Sequence, residues 1–142
     1  MQIGMIQQPK SKAPGEINPL LLAYVGDAVY ELYVRTHLVA RGDVRPNEVH
    51  REAVRFVSAP FQAEAVRRIT GLLTEEEQVV LRRGRNAKSG SIPKNAKASD
   101  YRYSTGLEAL VGHWFLAGET DRLQEVMGKI ISSLEAGDEC GE

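Results

Sequence analysis

The stretch from Asn18 to Ala40, NPLLLAYVGDAVYELYVRTHLVA, limits the possible folds more than any other part of the chain. It is the longest apolar run, and it carries an acid near its middle. Asn18 followed by Pro19 reads as an N-cap and first-turn pair. The asparagine oxygen takes a free backbone N–H, and proline lacks only an N–H that the first turn leaves unbonded. Arg41 and Gly42 read as the stop, a cation and a left-handed residue at the C-terminal end. Between these signals apolar residues cover most of the circumference, which predicts a central helix buried among others. Asp27, Glu31 and Arg35 break the pattern, and their i, i+4, i+8 spacing places them on one stripe. One reading of the stripe is a solvated face with a Glu31–Arg35 pair worth a few tenths of a kcal/mol. The other has Asp27 lining a cleft. Gly26 favours the cleft, because an interior glycine costs about 1 kcal/mol relative to alanine and so points to close backbone approach or access to a site.

The rest of the chain reads as further helices. Pro46 or Asn47 starts a second one through Val57, with Val49, Ala53, Val54 and Val57 on one face. Ser58 is a cap for a third, with Pro60 in its first turn and Phe61, Ala65 and Ile69 on its inner side, running to about Thr70. Gly71 ends it. Thr74 to Glu77 is a capping box that opens a helix to about Arg83. Gly84, Gly90 and Pro93 then forbid a continuous helix over residues 84–98. A new helix runs from Ser99 or Asp100 to about Ala117, with Leu107, Leu110, Val111, Trp114 and Phe115 on its core face. A last one, capped by Thr120, runs through Leu134. No strand alternation or hairpin turn signal occurs, so the expected class is all-α, a bundle of about six helices around the Asn18–Ala40 helix. The expected organisation is a flexible arm over 1–17, one domain over 18–134, and a disordered acidic tail over 135–142.

Composition matters for what the surface meets. The 142 residues carry a net charge of −1, which by itself argues against a polyanionic partner. The distribution argues otherwise. Between Arg82 and Arg102 stand seven basic residues and one acid, so this segment is +6 and the remainder −7. A local basic patch governs phosphate binding more than the average does. No uncharged apolar run reaches the roughly 18 residues of a membrane span, and the N-terminus lacks the apolar core of a signal peptide. The single cysteine, Cys140, rules out an internal disulfide framework and a cysteine zinc cluster, in keeping with a cytoplasmic protein.

Two acids on two helices, Asp27 and Glu108, together with the basic loop, are the minimum set for metal-assisted phosphodiester hydrolysis. Magnesium takes hard oxygen ligands and keeps several waters, so one or two carboxylates suffice. His37, His50 and His113 do not form a zinc-ligand pattern, and neither a P-loop nor a G-x-S-x-G sequence occurs.

The residues around the two acids are more specific than their spacing. Tyr24-Val25-Gly26-Asp27-Ala28-Val29 resembles the F-L-G-D-A/S-V/L core of the ribonuclease III signature. Thr105-Gly106-Leu107-Glu108-Ala109-Leu110-Val111-Gly112 resembles that family's second acidic helix, D-x-x-E-A-x-x-G. Arg83 to Ala96, followed by Tyr101 to Thr105, resembles the basic loop of the Mini-ribonuclease III branch, which lacks the usual double-stranded-RNA-binding domain. The resemblance covers roughly residues 17 to 134. Two of four family carboxylates are replaced, by Ala23 and Thr105, as in other members of that branch. The resemblance implies a homodimeric endoribonuclease that cuts double-stranded RNA, leaving 5′-phosphates and a 3′ overhang, with precursor large-subunit ribosomal RNA as substrate. It implies Asp27 and Glu108 as catalytic residues and ligands of magnesium, with manganese as a substitute. Glu31 either assists them or pairs with Arg35. Arg83, Arg85, Lys88, Lys94, Lys97 and Arg102 are the expected RNA contacts, and the apolar faces around Leu20 to Val34 the expected dimer contact. The alternative reading is a non-catalytic helical dimer that binds structured RNA.

Overall fold

The computed structural model describes residues 14–42, 45–87, 92, 94 and 97–140. Six α-helices follow one another: α1 (Pro19–Ala40), α2 (Pro46–Val57), α3 (Ala59–Ile69), α4 (Glu75–Asn86), α5 (Ala98–Leu116) and α6 (Thr120–Cys140). Short 3-10 turns occupy Pro14–Glu16 and Thr70–Leu72, and no strand occurs among the described residues. The all-α class and the six-helix order are as the sequence predicts. No described helix is long and apolar enough to cross a membrane.

Local signals set the helix starts. The Asn18 side chain accepts from the Leu20 N–H at 2.9 Å, with Pro19 in the first turn. At α4 both halves of the capping box form: the Glu77 N–H donates to Thr74 Oγ1 at 3.1 Å, and the Thr74 N–H donates to Glu77 Oε1 at 2.9 Å. Gly42 adopts φ 97° after α1, the left-handed stop that a side chain would strain. Ser58 departs from expectation. Its hydroxyl donates backward to the Arg55 carbonyl at 2.8 Å instead of capping α3.

Two helix ends also differ from the sequence reading. Helix α4 passes through Gly84 to Asn86, because Gly84 lies against Gly106 and Ala109 of α5 and tertiary packing offsets its poor propensity. Helix α6 passes Leu134 to Cys140. Glu135 is held there by Arg41, the residue that caps α1, and, at 2.9 Å, by His37 of α1. So residues 135–140 continue a helix, while 141–142 lie outside the described residues. Of the arm expected over 1–17, residues 1–13 lie outside them, and Ile17 is buried in the core.

The enclosed helix is α5 rather than α1. It packs against α1, α3, α4 and α6, and its Leu107, Leu110 and Trp114 have no exposed surface. Helix α1 buries Leu22, Tyr30, Val34 and Leu38 but leaves Leu21, Tyr24, Leu32 and Val39 exposed, with Tyr24 at 79%. Glycines permit the tight packing on both sides of α5. A Cβ on Gly26 would stand 1.7 Å from the Glu108 carbonyl oxygen, and one on Gly112 would stand 2.0 Å from that of Leu22. On the opposite side, a Cβ on Gly84 would meet the Gly106 Cα at 2.9 Å.

The capping Glu77 also closes a buried network between α4, α5 and α6. Arg122 donates from Nε and Nη2 to both its oxygens at 2.8 Å, and Trp114 Nε1 donates at 3.0 Å. Arg122 is the main cause holding the Glu77 carboxyl at about 2, below its usual 4.5. A carboxylate with a depressed folded-state pKa stabilises the fold above its unfolded value, and that stability disappears as pH falls from about 4.5 toward 2. Arg122→Met is expected to destabilise the protein by on the order of 3 kcal/mol at pH 7, since it strands a buried charge. The difference in urea midpoint between the variant and the parent should shrink below pH 4.5. A pH-independent difference would remove the ion pair as its cause.

Candidate active site

Helices α1 and α5 cross at Gly26 and Gly112, where backbone meets backbone. The crossing sets the next residue of α1, Asp27, beside Glu108 of α5. The two carboxyl groups lie close enough for the charge of Asp27 to act on Glu108. Asp27 is exposed and Glu108 partly buried, so the pair opens to solvent from the α1 side. Burial, and then the Asp27 charge, push the Glu108 carboxyl up to about 8 from 4.5. One donor works against this: Gln62 Nε2 of α3 points at Glu108 Oε2, 3.4 Å away. Tyr30 lies near enough to feel the Glu108 charge. Its hydroxyl donates elsewhere, to the Phe56 carbonyl at 2.9 Å, and burial raises its pKa.

Ala23 and Thr105, the two departures from the carboxylate pattern noted in the sequence, bring no acid to the pair. Ala23 is a buried methyl, and the Thr105 hydroxyl donates back to the Tyr101 carbonyl at 3.0 Å. Among the described residues no group of three His, Cys, Asp or Glu side chains gathers to hold an ion. Two adjacent acids whose mutual repulsion is relieved by holding a proton nonetheless fit a hard divalent cation, which takes its remaining ligands from water and phosphate. Glu31 does not join them. It pairs with Arg35, the solvated-face reading of the stripe, while Asp27 stands exposed beside Glu108.

Metal-free protein should carry the mark of this repulsion. A carboxyl with a raised folded-state pKa leaves the native state holding more protons than the unfolded chain between about 4.5 and 8. Stability therefore falls as pH rises through that window. In chelator, Glu108→Gln should abolish this fall and gain on the order of 2 kcal/mol above pH 8. Urea midpoints across pH measure it, and parallel profiles for the two proteins would refute the coupling.

The expected RNA contacts divide. Lys94, Lys97 and Arg102 are exposed. Arg85 lies over the Tyr103 ring at 5.6 Å, a cation–π pair that orients its guanidinium. Arg83 Nη1 donates to the Gly15 carbonyl at 2.8 Å, so it tethers the segment before α1 and is less free for RNA. Lys88 lies outside the described residues. Gln62 is the site residue that the sequence reading passed over. Its one signal is register, since Ala65, Val66 and Ile69 follow it at helical spacing and all are buried.

The Ribonuclease III domain model matches residues 20–119. A protein of Symbiobacterium thermophilum named Mini-ribonuclease 3 is 49% identical over 124 residues, 87% of this chain and 95% of that one. The Mini-ribonuclease 3 of a Thermoanaerobacter species is 48% identical over 119 residues, 84% of each chain. A crystal structure of a Fusobacterium nucleatum protein superposes with a TM-score of 0.76 at 27% identity, covering 87% of this chain and 98% of that one. This chain belongs to the ribonuclease III family.

Proposed function

We propose that the chain is a homodimeric endoribonuclease that hydrolyses double-stranded RNA, with Asp27 and Glu108 holding a magnesium ion. The pairing of these two carboxylates at the α1–α5 crossing carries the reading. Their residue types suit magnesium, which takes hard oxygen ligands and retains waters, and manganese is an acceptable substitute. When bound, such an ion supplies Lewis-acid stabilisation of the phosphate and an activated water. Glu108 contributes by giving up its proton on loading, and Asp27 by facing the solvent from which the substrate arrives. Exposed Lys94, Lys97 and Arg102, with Arg85 oriented by Tyr103, fit a role in gripping the phosphate backbone, and A-form RNA is read mainly by shape and backbone.

Precursor large-subunit ribosomal RNA as the substrate and the cytoplasm as the setting follow from the family resemblance of the sequence rather than from a feature of the site. The exposed apolar residues of α1, Leu21, Tyr24 and Leu32, support dimerisation there, which would set two sites along one duplex. Leu21→Glu combined with Tyr24→Lys is expected to give monomers by light scattering and to cost most of the cleavage. A dimer that survives both changes moves the interface elsewhere. Arg85→Ala should weaken duplex binding and lower the slope of log K against log salt by about 1. An unchanged slope would take Arg85 off the phosphates.

Incubation of the purified chain with duplex RNA and magnesium tests the whole reading. Metal-dependent cutting that leaves 5′-phosphates is the expected result. Duplex binding without cutting would favour the non-catalytic RNA-binding dimer, for which the losses at Ala23 and Thr105 speak.

A further inference from the structure

Gln62 is one of four buried polar side chains among the described residues, at 1% exposure. The other three have local or structural partners. Ser104 and Thr105 donate to the Tyr101 carbonyl of their own helix, and Glu77 closes the Arg122 network. Gln62 instead reaches from α3 across to α5, and its partner is Glu108. A buried amide is costly. It forgoes water, and it freezes a flexible chain that Leu or Met would occupy without a polar atom to satisfy. The packing of α3 does not ask for it, since the neighbours at helical spacing, Ala65, Val66 and Ile69, are all apolar.

The geometry has a direction. Once ionised, as a metal ligand must be, the Glu108 carboxylate only accepts, so the amide N–H₂ is the group that serves its Oε2. One Glu108 oxygen is thereby engaged on the α3 side, deep in the bundle. Rotation about the last bonds of the glutamate is restricted, and the other oxygen stays outside this hydrogen bond. With Ala23 and Thr105 in place of two acids, the site has two carboxylates to orient, and a loose Glu108 would leave Asp27 as its sole fixed ligand. Groups behind the ligands of a metal site commonly set affinity in this way.

We propose that Gln62 is a positioning residue, whose buried amide holds the Glu108 carboxylate in the orientation that binds the divalent ion. This rests on Asp27 and Glu108 being the metal ligands.

The test measures metal binding directly on the full chain, beside cleavage. Gln62→Met keeps length and volume and removes the donor. Manganese titrated into the parent, Asp27→Asn and Gln62→Met proteins is followed by its electron paramagnetic resonance signal. Thermal melts in chelator are recorded in parallel. The expected result is a metal Kd raised about 10- to 100-fold in Gln62→Met, an unchanged or higher melting temperature, and a cleavage rate that recovers toward the parent's as magnesium is raised. A Kd within about twofold of the parent's overturns the proposal, as does a rate that stays low at saturating metal while affinity is unchanged. A melting temperature that falls with metal affinity intact assigns Gln62 to packing alone and equally overturns it. If Gln62→Met does not fold, Gln62→Asn, whose shorter amide cannot reach Glu108, is read by the same criteria. The underlying site fails separately: the parent would then bind manganese no better than Asp27→Asn does.

Discussion

Asp27→Asn is expected to lower double-stranded RNA cleavage by at least about 1,000-fold, which corresponds to roughly 4 kcal/mol of lost transition-state stabilisation. The size follows from what the carboxylate does in the proposed site. It is one of two protein oxygen donors to the ion, and the ion's contribution to stabilising charge in the transition state is worth several kcal/mol. With Ala23 buried and Thr105 bonded to Tyr101, no third acid among the described residues gathers with the pair to substitute. The fold should not suffer. Asp27 is exposed, and the charge it places beside Glu108 is repulsive, so the neutral amide removes a strain from the metal-free protein. Duplex affinity in calcium or chelator should stay within a few-fold, because the grip comes from the basic residues. Initial rates, gel shifts and thermal melts together check this. A variant that keeps a tenth or more of the parent rate would mean that Asp27 is not a ligand.

Gly26→Ala should be the most damaging single methyl in the protein. The added Cβ would meet the Glu108 carbonyl oxygen at 1.7 Å, its carbon at 2.6 Å and the Gly112 nitrogen at 2.8 Å. All three are backbone atoms of α5, and none swings aside as a side-chain tip would. The two helices must separate, and the core residues between them lose contact. Overpacking costs about 1–3 kcal/mol and more where the neighbours are rigid, so about 3 kcal/mol or above is expected, a fall in melting temperature of about 10 °C or more. Propensity works the other way, since alanine gains about 1 kcal/mol over glycine inside an unhindered helix. That contrast makes the sign informative. Gly128→Ala on the exposed side of α6, where a Cβ meets nothing within 4 Å, should stabilise the protein by about 0.5–1 kcal/mol. Two variants of identical chemistry should therefore move in opposite directions. Cleavage should fall in Gly26→Ala even below its melting point, because spreading the crossing draws Asp27 away from Glu108. A stabilised or neutral Gly26→Ala would deny the close approach.

The sequence and the structure agree where the governing interactions are short. The Asn18 cap, the Thr74 box and the left-handed Gly42 each depend on atoms within a few residues, and each forms as read. Position within the bundle was less legible. The run from Asn18 to Ala40 is apolar nearly all round, which reads as enclosure, but its Leu21, Tyr24 and Leu32 face is bare and α5 takes the centre. An apolar face says only that something covers it, and a second copy of the chain serves as well as another helix of the same one. Arg83 read as an RNA contact from its place in a basic run, and one of its N–H groups also donates to the Gly15 carbonyl. Glu77 read as a cap and proved also to be the partner of Arg122 and Trp114. In both cases one side chain has two kinds of partner, and a local pattern reports the near one.

By itself the sequence determined the helices, their order, the basic character of residues 82–102 and the two acids worth watching, because periodicity, capping and charge are written in neighbouring residues. Only the tertiary structure decided that Gly26 and Gly112 let α1 and α5 touch backbone to backbone, that the charge of Asp27 thereby reaches the Glu108 carboxyl, and that Gln62 faces that carboxyl from α3. The reason is physical: a helix fixes which way a side chain leaves its axis, while the distance between axes is set by whatever small residues lie where two helices cross.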